Sequence, residues 1–534
     1  MRRLLRSGEP FIWLTGGALA LAILMIAGLV LLILVNGLGF FWPSGVERLA
    51  LHDGSTALGQ IRQREAIPTP GVTDAPVRTR TQFQIGNRDL YGQDFRWIDD
   101  DQIASRELPA DAVVLERREW GHFFGFIKEI RRDGAAVAGG WDALQAPLAE
   151  AQRLWHRVEA MERYEAGAIS ARQERLRLAL KRIDLRGAPR EDRRPIDEEL
   201  ARLKEDYKRK EAEIAEVRRE MARATVLLVT VDGKEKELPL AQLVRATRPN
   251  SLGFFGRCGV YASRLWEFVS GDPRESNTEG GVLPAIFGTV MMVFVMTLAV
   301  VPLGVLAALY LREYARQGPL VRAVRIAVNN LAGVPSIVFG VFGLGFFVYG
   351  IGGRIDSWFF PESLPTPTFG TGGILWASLT LALLTVPTVI VAAEEGLAAV
   401  PSDIRQASLA LGATKFETMW RVVIPSAAPG ILTGMILAMA RAAGEVAPLM
   451  ITGVVKLAPT LPLDGTFPCM HFDRKFMHLG FHIYDVGFQS PNVEAARPMV
   501  YMTTLLLLII VVMLNFTAIV IRNRLRRKYK SAAF

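Results

Sequence analysis

The chain has 534 residues, half of them hydrophobic and yet 22% charged, with a net charge of +9. Such a mixture implies two physical environments in one polypeptide. Two cysteines, Cys258 and Cys469, exclude a disulfide framework and leave room for at most one bridge. The six histidines form no ligand set at metal spacing, so no metal site is expected. The basic excess sits beside apolar runs: Arg2, Arg3 and Arg6 precede the first, and Arg522, Arg524, Arg526, Arg527, Lys528 and Lys530 follow the last. This is positive-inside placement, which favours membrane lipid over nucleic acid as the partner.

Six runs are long enough to span a bilayer, at about 11–36, 283–311, 326–350, 373–393, 427–453 and 498–521. The first exceeds a signal-peptide core and lacks an A-x-A site after it, so it reads as an uncleaved N-terminal anchor over 1–36. Arg312, Arg316, Arg322 and Arg325 follow the second run, and Arg405, Lys415 and Arg421 follow the fourth. Six crossings put these loops and both termini on one side, the cytoplasm. Residues 37–280 then lie outside, 281–521 form the membrane core and 522–534 a basic cytoplasmic tail.

Within 37–280, residues 81–85, 112–115 and 123–130 read as strands. Residues 226–231 and 235–240 flank Asp232-Gly233 and read as a β-hairpin. Ile196, Leu200, Leu203, Tyr207, Ile214, Val217 and Met221 recur in a heptad pattern. An upstream partner carries Leu144, Leu148, Ala151, Trp155, Val158 and Met161, and Gly187-Ala188-Pro189 separates the two. The expectation is an α+β domain with an antiparallel, coiled-coil-like helical hairpin over about 142–224. Its surplus charge, such as Glu198, Glu199 and Arg202, reads as a solvated face, with docking of a soluble partner as the alternative.

Arg441 and Glu445 fall within the fifth run. An unpaired charge at the bilayer centre costs at least ~2.5 kcal/mol, so such groups face the bundle interior. Their i, i+4 spacing lets them neutralise each other. Either the pair only fixes helix packing, or Arg441 offers a guanidinium fork to an oxyanion in transit while Glu445 holds it. Asn329, Asn330 and Ser336 in the third run, and Thr385 and Thr388 in the fourth, read as interhelical hydrogen-bonding groups or substrate-path groups. Pro335 and Pro387 suggest kinks.

Between the fourth and fifth runs, Ile404, Leu409 and Leu411 precede Gly412, and Phe416, Met419 and Val422 follow. Two short amphipathic helices joined at a glycine fit this spacing. Such a unit either docks on a partner or rests on lipid.

This stretch resembles the EAA loop of type I ABC importer permeases. Gln406-Ala407-Ser408 stands where the family has Glu-Ala-Ala, then Gly412, then Val422-Val423-Ile424-Pro425. The resemblance implies that the loop seats in a groove of an ATPase subunit and couples nucleotide-driven closure to the membrane path. Leu331-Ala332-Gly333-Val334-Pro335-Ser336-Ile337-Val338-Phe339-Gly340 and Ala440-Arg441-Ala442-Ala443-Gly444-Glu445-Val446-Ala447-Pro448-Leu449 resemble phosphate importer permeases, the second of them the A-type subunit, PstA. Resemblance covers about 283–521 and the first anchor. It implies an all-α bundle of about six transmembrane helices, and a role for Arg441 in phosphate passage. A second arginine common in that family is replaced by Val391. The insert at 37–280 exceeds the loop of compact members and resembles an extended N-terminal variety.

The chain has no G-x-x-x-x-G-K-[ST] run, so ATP hydrolysis, with its ATP and Mg²⁺, is expected on a partner chain. The resemblance implies a second permease subunit, an ATPase dimer and an extracytoplasmic phosphate-binding protein in a bacterial inner membrane. Two other readings stand beside phosphate import: a permease for sulfate or molybdate, and a membrane sensor reading signals through the external domain. The short cytoplasmic segments hold no output domain, which counts against the sensor. A channel needs no ATPase-docking loop.

Overall fold

The computed structural model describes residues 9–67, 78–187, 189, 193–465, 469–490 and 493–530. Arg2, Arg3, Arg6 and Ala188 lie outside the described residues. Two compact units emerge, Phe41–Phe268 with Pro273–Gly280, and Met1–Phe40 with Val269–Asp272 and Gly281–Phe534. The chain opens with α1, Glu9–Gly39, apolar on every face and almost wholly open. An all-round apolar surface suits contact with lipid.

The inserted unit is built on two antiparallel sheets. One has the order β4-β3-β2-β1-β5, from β1 (Glu47–Leu51), β2 (Thr56–Ala66), β3 (Thr79–Gln84), β4 (Phe95–Asp99) and β5 (Ile103–Glu107). The other has the order β10-β9-β7-β6-β11, with β8 on β7. Its strands are β6 (Val113–Arg117), β7 (His122–Arg132), β8 (Ala135–Ala138), β9 (Ala224–Val229), β10 (Glu235–Pro239) and β11 (Leu243–Thr247). The β9–β10 hairpin turns where Gly233 takes φ +82°, a conformation glycine adopts without a Cβ penalty. Inward residues of β6, β7 and β9 (Val113, Leu115, Phe123, Val226, Leu228) pack against Leu144 and Leu148 at the root of the hairpin.

The hairpin's outgoing arm is α2 (Trp141–Ala160), a π turn at Met161–Ala166 and α3 (Gly167–Leu185); α4 (Arg194–Ala222) returns. Val158 and Met161 pack on Ile214, Val217 and Met221, as the heptads predict. Tyr207 departs from the pattern and is exposed. Cross-arm ion pairs join Arg172 to Glu199 at 2.9 Å and Lys210 to Glu165 at 2.8 Å. After β11 comes α5, Phe254–Ser270, then the short strands β12 (Pro273–Arg274) and β13 (Glu279–Gly280). Cys258 on α5 and Cys469 are both free thiols.

The α5 helix meets a buried ion network. Glu116 on β6 accepts from Arg264 at 2.5 Å and Arg245 at 3.3 Å, and Glu267 pairs with Arg245 and Arg274. Burial alone would raise the Glu116 carboxyl, but Arg264 and Arg245 draw it down to about 2. Burial, reinforced by the Glu116 charge, pushes Glu279 up to about 8. His122 Nδ1 lies 3.5 Å from Glu279, and burial holds the imidazole down at about 4.

The membrane unit continues with α6 (Leu283–Leu309), which ends in a π turn at Tyr310–Tyr314. Then come α7 (Pro319–Leu331), α8 (Ser336–Phe359), α9 (Ile374–Ala398), α10 (Ser402–Ala410), α11 (Lys415–Gly444), α12 (Ala447–Thr452), α13 (Leu479–Tyr484) and α14 (Val493–Lys530). Among the described residues six helices are long and apolar enough to cross a membrane: α1, α6, α8, α9, α11 and α14. Helix α9 is the centre of the bundle, with Leu381, Leu384 and Val389 packed in one cluster with Met292, Met296 and Val300 of α6. Small residues allow close backbone approach, as membrane helix pairs require. A Cβ on Gly430 would come within 2.5 Å of the Gly396 Cα, and one on Gly434 within 2.6 Å of the Ala392 Cβ.

Several expected boundaries move. The third run, expected over 326–350, is two elements, because Pro335 is extended (ψ 135°) and the helix restarts at Ser336. Asn329 and Asn330 therefore sit exposed on α7, outside any span. Pro335 is a break rather than a kink, whereas Pro387 is held inside α9. The fifth span begins early, at Lys415, and stops at Gly444; Glu445 is extended (ψ 134°). Thr385 donates to Leu381 O of its own helix at 2.8 Å and reaches α6 only through Met296 Sδ at 3.5 Å. Helix α1 runs to Gly39, and the basic stretch after 521 continues α14 as helix to Lys530.

Candidate functional site

The loop between α9 and α11 is a helix–turn–helix whose second arm is the start of α11 itself. Helix α10 ends at Ala410 with Leu411 as its C-cap, and Gly412 takes φ +87° while its amide bonds Leu409 O at 3.0 Å. A Cβ there would meet nothing within 4 Å, so conformation, not space, selects glycine. Thr414 and Glu417 form a capping box that starts α11: Thr414 Oγ1 accepts from the Glu417 amide, and Glu417 Oε2 from the Thr414 amide at 3.0 Å. Ser408 and Thr418 hydroxyls meet at 2.9 Å and hold the arms together. Gln406 and Ala407 are exposed, and Pro425 lies inside the continuous helix.

The outer surface of this loop is apolar. Leu411 is 89% exposed, and Phe416 and Trp420 stack on each other with rings 6.3 Å apart, both open. Its inner surface is clamped to the end of α6. Arg405 pairs with Glu313 at 3.0 Å and donates to Leu397 O at 2.7 Å. Lys415 donates to Glu313 O at 2.5 Å and lies 4.8 Å from the Tyr314 ring centroid. Arg325 of α7 pairs with Glu394 of α9 at 3.2 Å. Arg325, Glu394, Arg312, Asn329 and Val391 line a cleft of about 320 Å³. Val391 thus shares its cleft with two guanidinium groups carried by other elements.

Arg441 occupies the last turn of α11, where a cation meets the negative end of the helix dipole. Its Nε lies 3.4 Å from Glu445 Oε1, across the helix end rather than along one helix face. The chain breaks at Glu445–Val446 and resumes at α12, with Pro448 in its first turn. Gly340 of α8 allows α12 to approach, since a Cβ there would stand 2.8 Å from the Pro448 Cα. Leu331 and Val334, ahead of Ser336, pack on the cluster that holds Ala442 and Ala443. The α7–α8 break and the end of α11 therefore share one cluster. Asn329 belongs to the Arg325 cleft instead.

Sequence reasoning missed Glu313 and Glu394, and used Arg325, Arg405 and Lys415 only to orient the chain. Their pairing joins segments far apart in sequence, and no local spacing signals it.

Residues 300–531 match the family described as "Binding-protein-dependent transport system inner membrane component". The phosphate transport system permease protein PstA of Yersinia pestis is 32% identical over 263 residues, 49% of this chain and 79% of that protein. The probable ABC transporter permease protein YqgI of Bacillus subtilis (strain 168) is 31% identical over 238 residues, 43% of this chain and 74% of that one. PstA 1 of Mycobacterium tuberculosis (strain ATCC 25618 / H37Rv) is 38% identical over 172 residues, 32% of this chain, which spans 50% of that relative's length. The inserted unit lies outside the family match. With 79% of one such permease covered at this identity, the bundle has the type I ABC importer permease fold, and the chain belongs to the PstA-type permease subunits of ABC importers, multi-pass proteins of the inner membrane.

Proposed function

We propose that this subunit pairs with a second permease subunit and an ATPase dimer, receives inorganic phosphate from an extracytoplasmic binding protein, and passes it inward by alternating access. The carrying observation is Arg441, a guanidinium held by Glu445 at a helix break in a subunit whose relatives are named phosphate transport permeases. A guanidinium fork matches a tetrahedral oxyanion through paired N–H donors. In this reading both termini are cytoplasmic, the inserted unit is periplasmic, and the apolar face at Leu411, Phe416 and Trp420 seats in the ATPase. Clamping of the opposite, inner surface of the loop to α6 through Glu313 supports a coupling role, because a push on the loop reaches a membrane helix directly.

The test is uptake by proteoliposomes containing the chain purified from its host with its partners. ATP-dependent accumulation of phosphate, with sulfate and molybdate excluded, is the expected result. Preference for either other oxyanion would overturn the substrate, and ATP-independent flux would overturn the mechanism.

A further inference from the structure

Helix α5 carries an apolar stripe that its unit leaves open. Phe255, Gly259, Ala262 and Trp266 recur at helical spacing and share one face, with Phe254 at its flank. Phe255 is 88% exposed and Trp266 72%, Gly259 and Ala262 are exposed, and a Cβ on Gly259 would meet nothing within 4 Å. The opposite face is engaged: Arg264 binds Glu116, Glu267 binds Arg245 and Arg274, and Phe268 is buried.

Both ends of α5 are tied to places where the chain leaves the membrane. Just past its last residue, Gly271 O accepts from the amide of Leu283, the first residue of α6, at 3.2 Å. Toward its first turns, Phe254 and Tyr261 pack on Trp42, with ring centroids 6.2 and 6.0 Å apart. Trp42 follows Gly39, the last residue of α1, so closely that the chain allows it only about 10 Å of travel. A helix of this length extends about 25 Å. Each end of α5 is thus joined to a span by a short run of chain, and its aromatic ends and small-residue middle match an interfacial helix.

We propose that α5 is a membrane-surface helix, with the stripe Phe254, Phe255, Gly259, Ala262 and Trp266 seated in the headgroup layer against glycerophospholipid. This seat anchors the inserted unit to the bilayer independently of any transport step.

The test uses the full chain carrying Cys258→Ser and Cys469→Ser, reconstituted in phosphatidylethanolamine–phosphatidylglycerol vesicles. A single new cysteine, Phe255→Cys, Trp266→Cys or Glu205→Cys, is labelled with an environment-sensitive dye. Glu205 stands on the solvated hairpin as the aqueous control. Dye at 255 and 266 should show blue-shifted emission and lose intensity to a lipid bearing a nitroxide near the headgroup, while iodide quenches only the dye at 205. Equal iodide quenching at all three positions would overturn the proposal. So would protection at 255 and 266 from both quenchers, the mark of a protein partner. Ala262→Cys removes no aromatic ring and gives the same readout should either aromatic substitution disturb the fold.

Discussion

Arg405 and Glu313, far apart in the sequence, stand 3.0 Å apart with both side chains mostly buried. Lys415 bonds the carbonyl of the same glutamate. One residue at the end of α6 thus receives both arms of the loop between α9 and α11. Truncating one partner of such a charge-assisted bond costs about 1.5–3 kcal/mol, roughly a ten- to hundredfold loss of the clamped population. Arg405→Ala and Glu313→Gln should each lower phosphate moved per ATP hydrolysed several-fold while the complex still copurifies. The exchange Glu313→Arg with Arg405→Glu should restore part of that ratio. An unchanged ratio in both single variants would dismiss the clamp as a coupling device.

Gly412 tests the shape of the loop rather than its charge. Valine at φ +87° carries left-handed strain of about 1–2 kcal/mol or more, although the site has open space. Gly412→Val should uncouple ATP hydrolysis from uptake, and Gly412→Asn, which tolerates that region, should retain most of it. ATPase stimulation by loaded binding protein reads the difference; equal behaviour of the two variants would refute it.

Replacing Arg441 separates packing from passage. Arg441→Gln should abolish phosphate uptake and leave copurification with the partners intact. Arg441→Lys keeps the charge but loses the fork, and should keep only residual uptake. Full uptake by an assembled Gln variant would leave the ion pair with Glu445 as a packing element only.

The buried network of the inserted unit predicts a pH dependence. Glu279 is raised to about 8 when folded, so its contribution is complete below its ordinary value near 4.5 and is lost as pH rises toward 8. His122 is depressed to about 4, so its contribution is present above 6.5 and is lost as pH falls below that. The two oppose each other in mild acid and leave Glu279 acting alone between 6.5 and 8. There it should erode stability by about 1.4 kcal/mol per pH unit. Hydrogen exchange of β6 and β7 in the full chain should quicken from pH 6.5 to 8, after correction for intrinsic rates, and Glu279→Gln should remove that excess. A corrected rate that stays flat in the unsubstituted chain contradicts the assignment.

The six spans were legible because a run of some twenty apolar residues has few other uses. Their ends were not, because hydropathy is blind to backbone geometry. The apolar residues of α7 flow into those of α8, and only Pro335 marks the stop. Val446 and Ala447 likewise continue the apolar run of α11 across a break set at Glu445. In the insert, heptads announced the hairpin arms and Asp232-Gly233 announced the β9–β10 turn, since both signals are local. The strand order of two sheets and the network around Glu116 depend on pairings between distant segments. Of the candidate site, Arg441 and Gly412 stood out by residue type and context. Asn329 and Asn330 did not belong where their neighbours' hydropathy placed them, and Glu313 gave no local sign.

The meeting of Gly396 and Gly430 bears on how force travels. These residues lie in α9 and α11, the two helices that the exposed loop joins, at a point where backbone meets backbone with no side chain between. A flexible side chain at that crossing would let the legs spread under load. Its absence fixes the spacing of the two legs, so in the proposed coupling a displacement at Leu411 would turn the loop and both legs as one stiff lever. Widening the crossing by a single methyl group would leave every charged contact of the loop in place and still slacken the stroke.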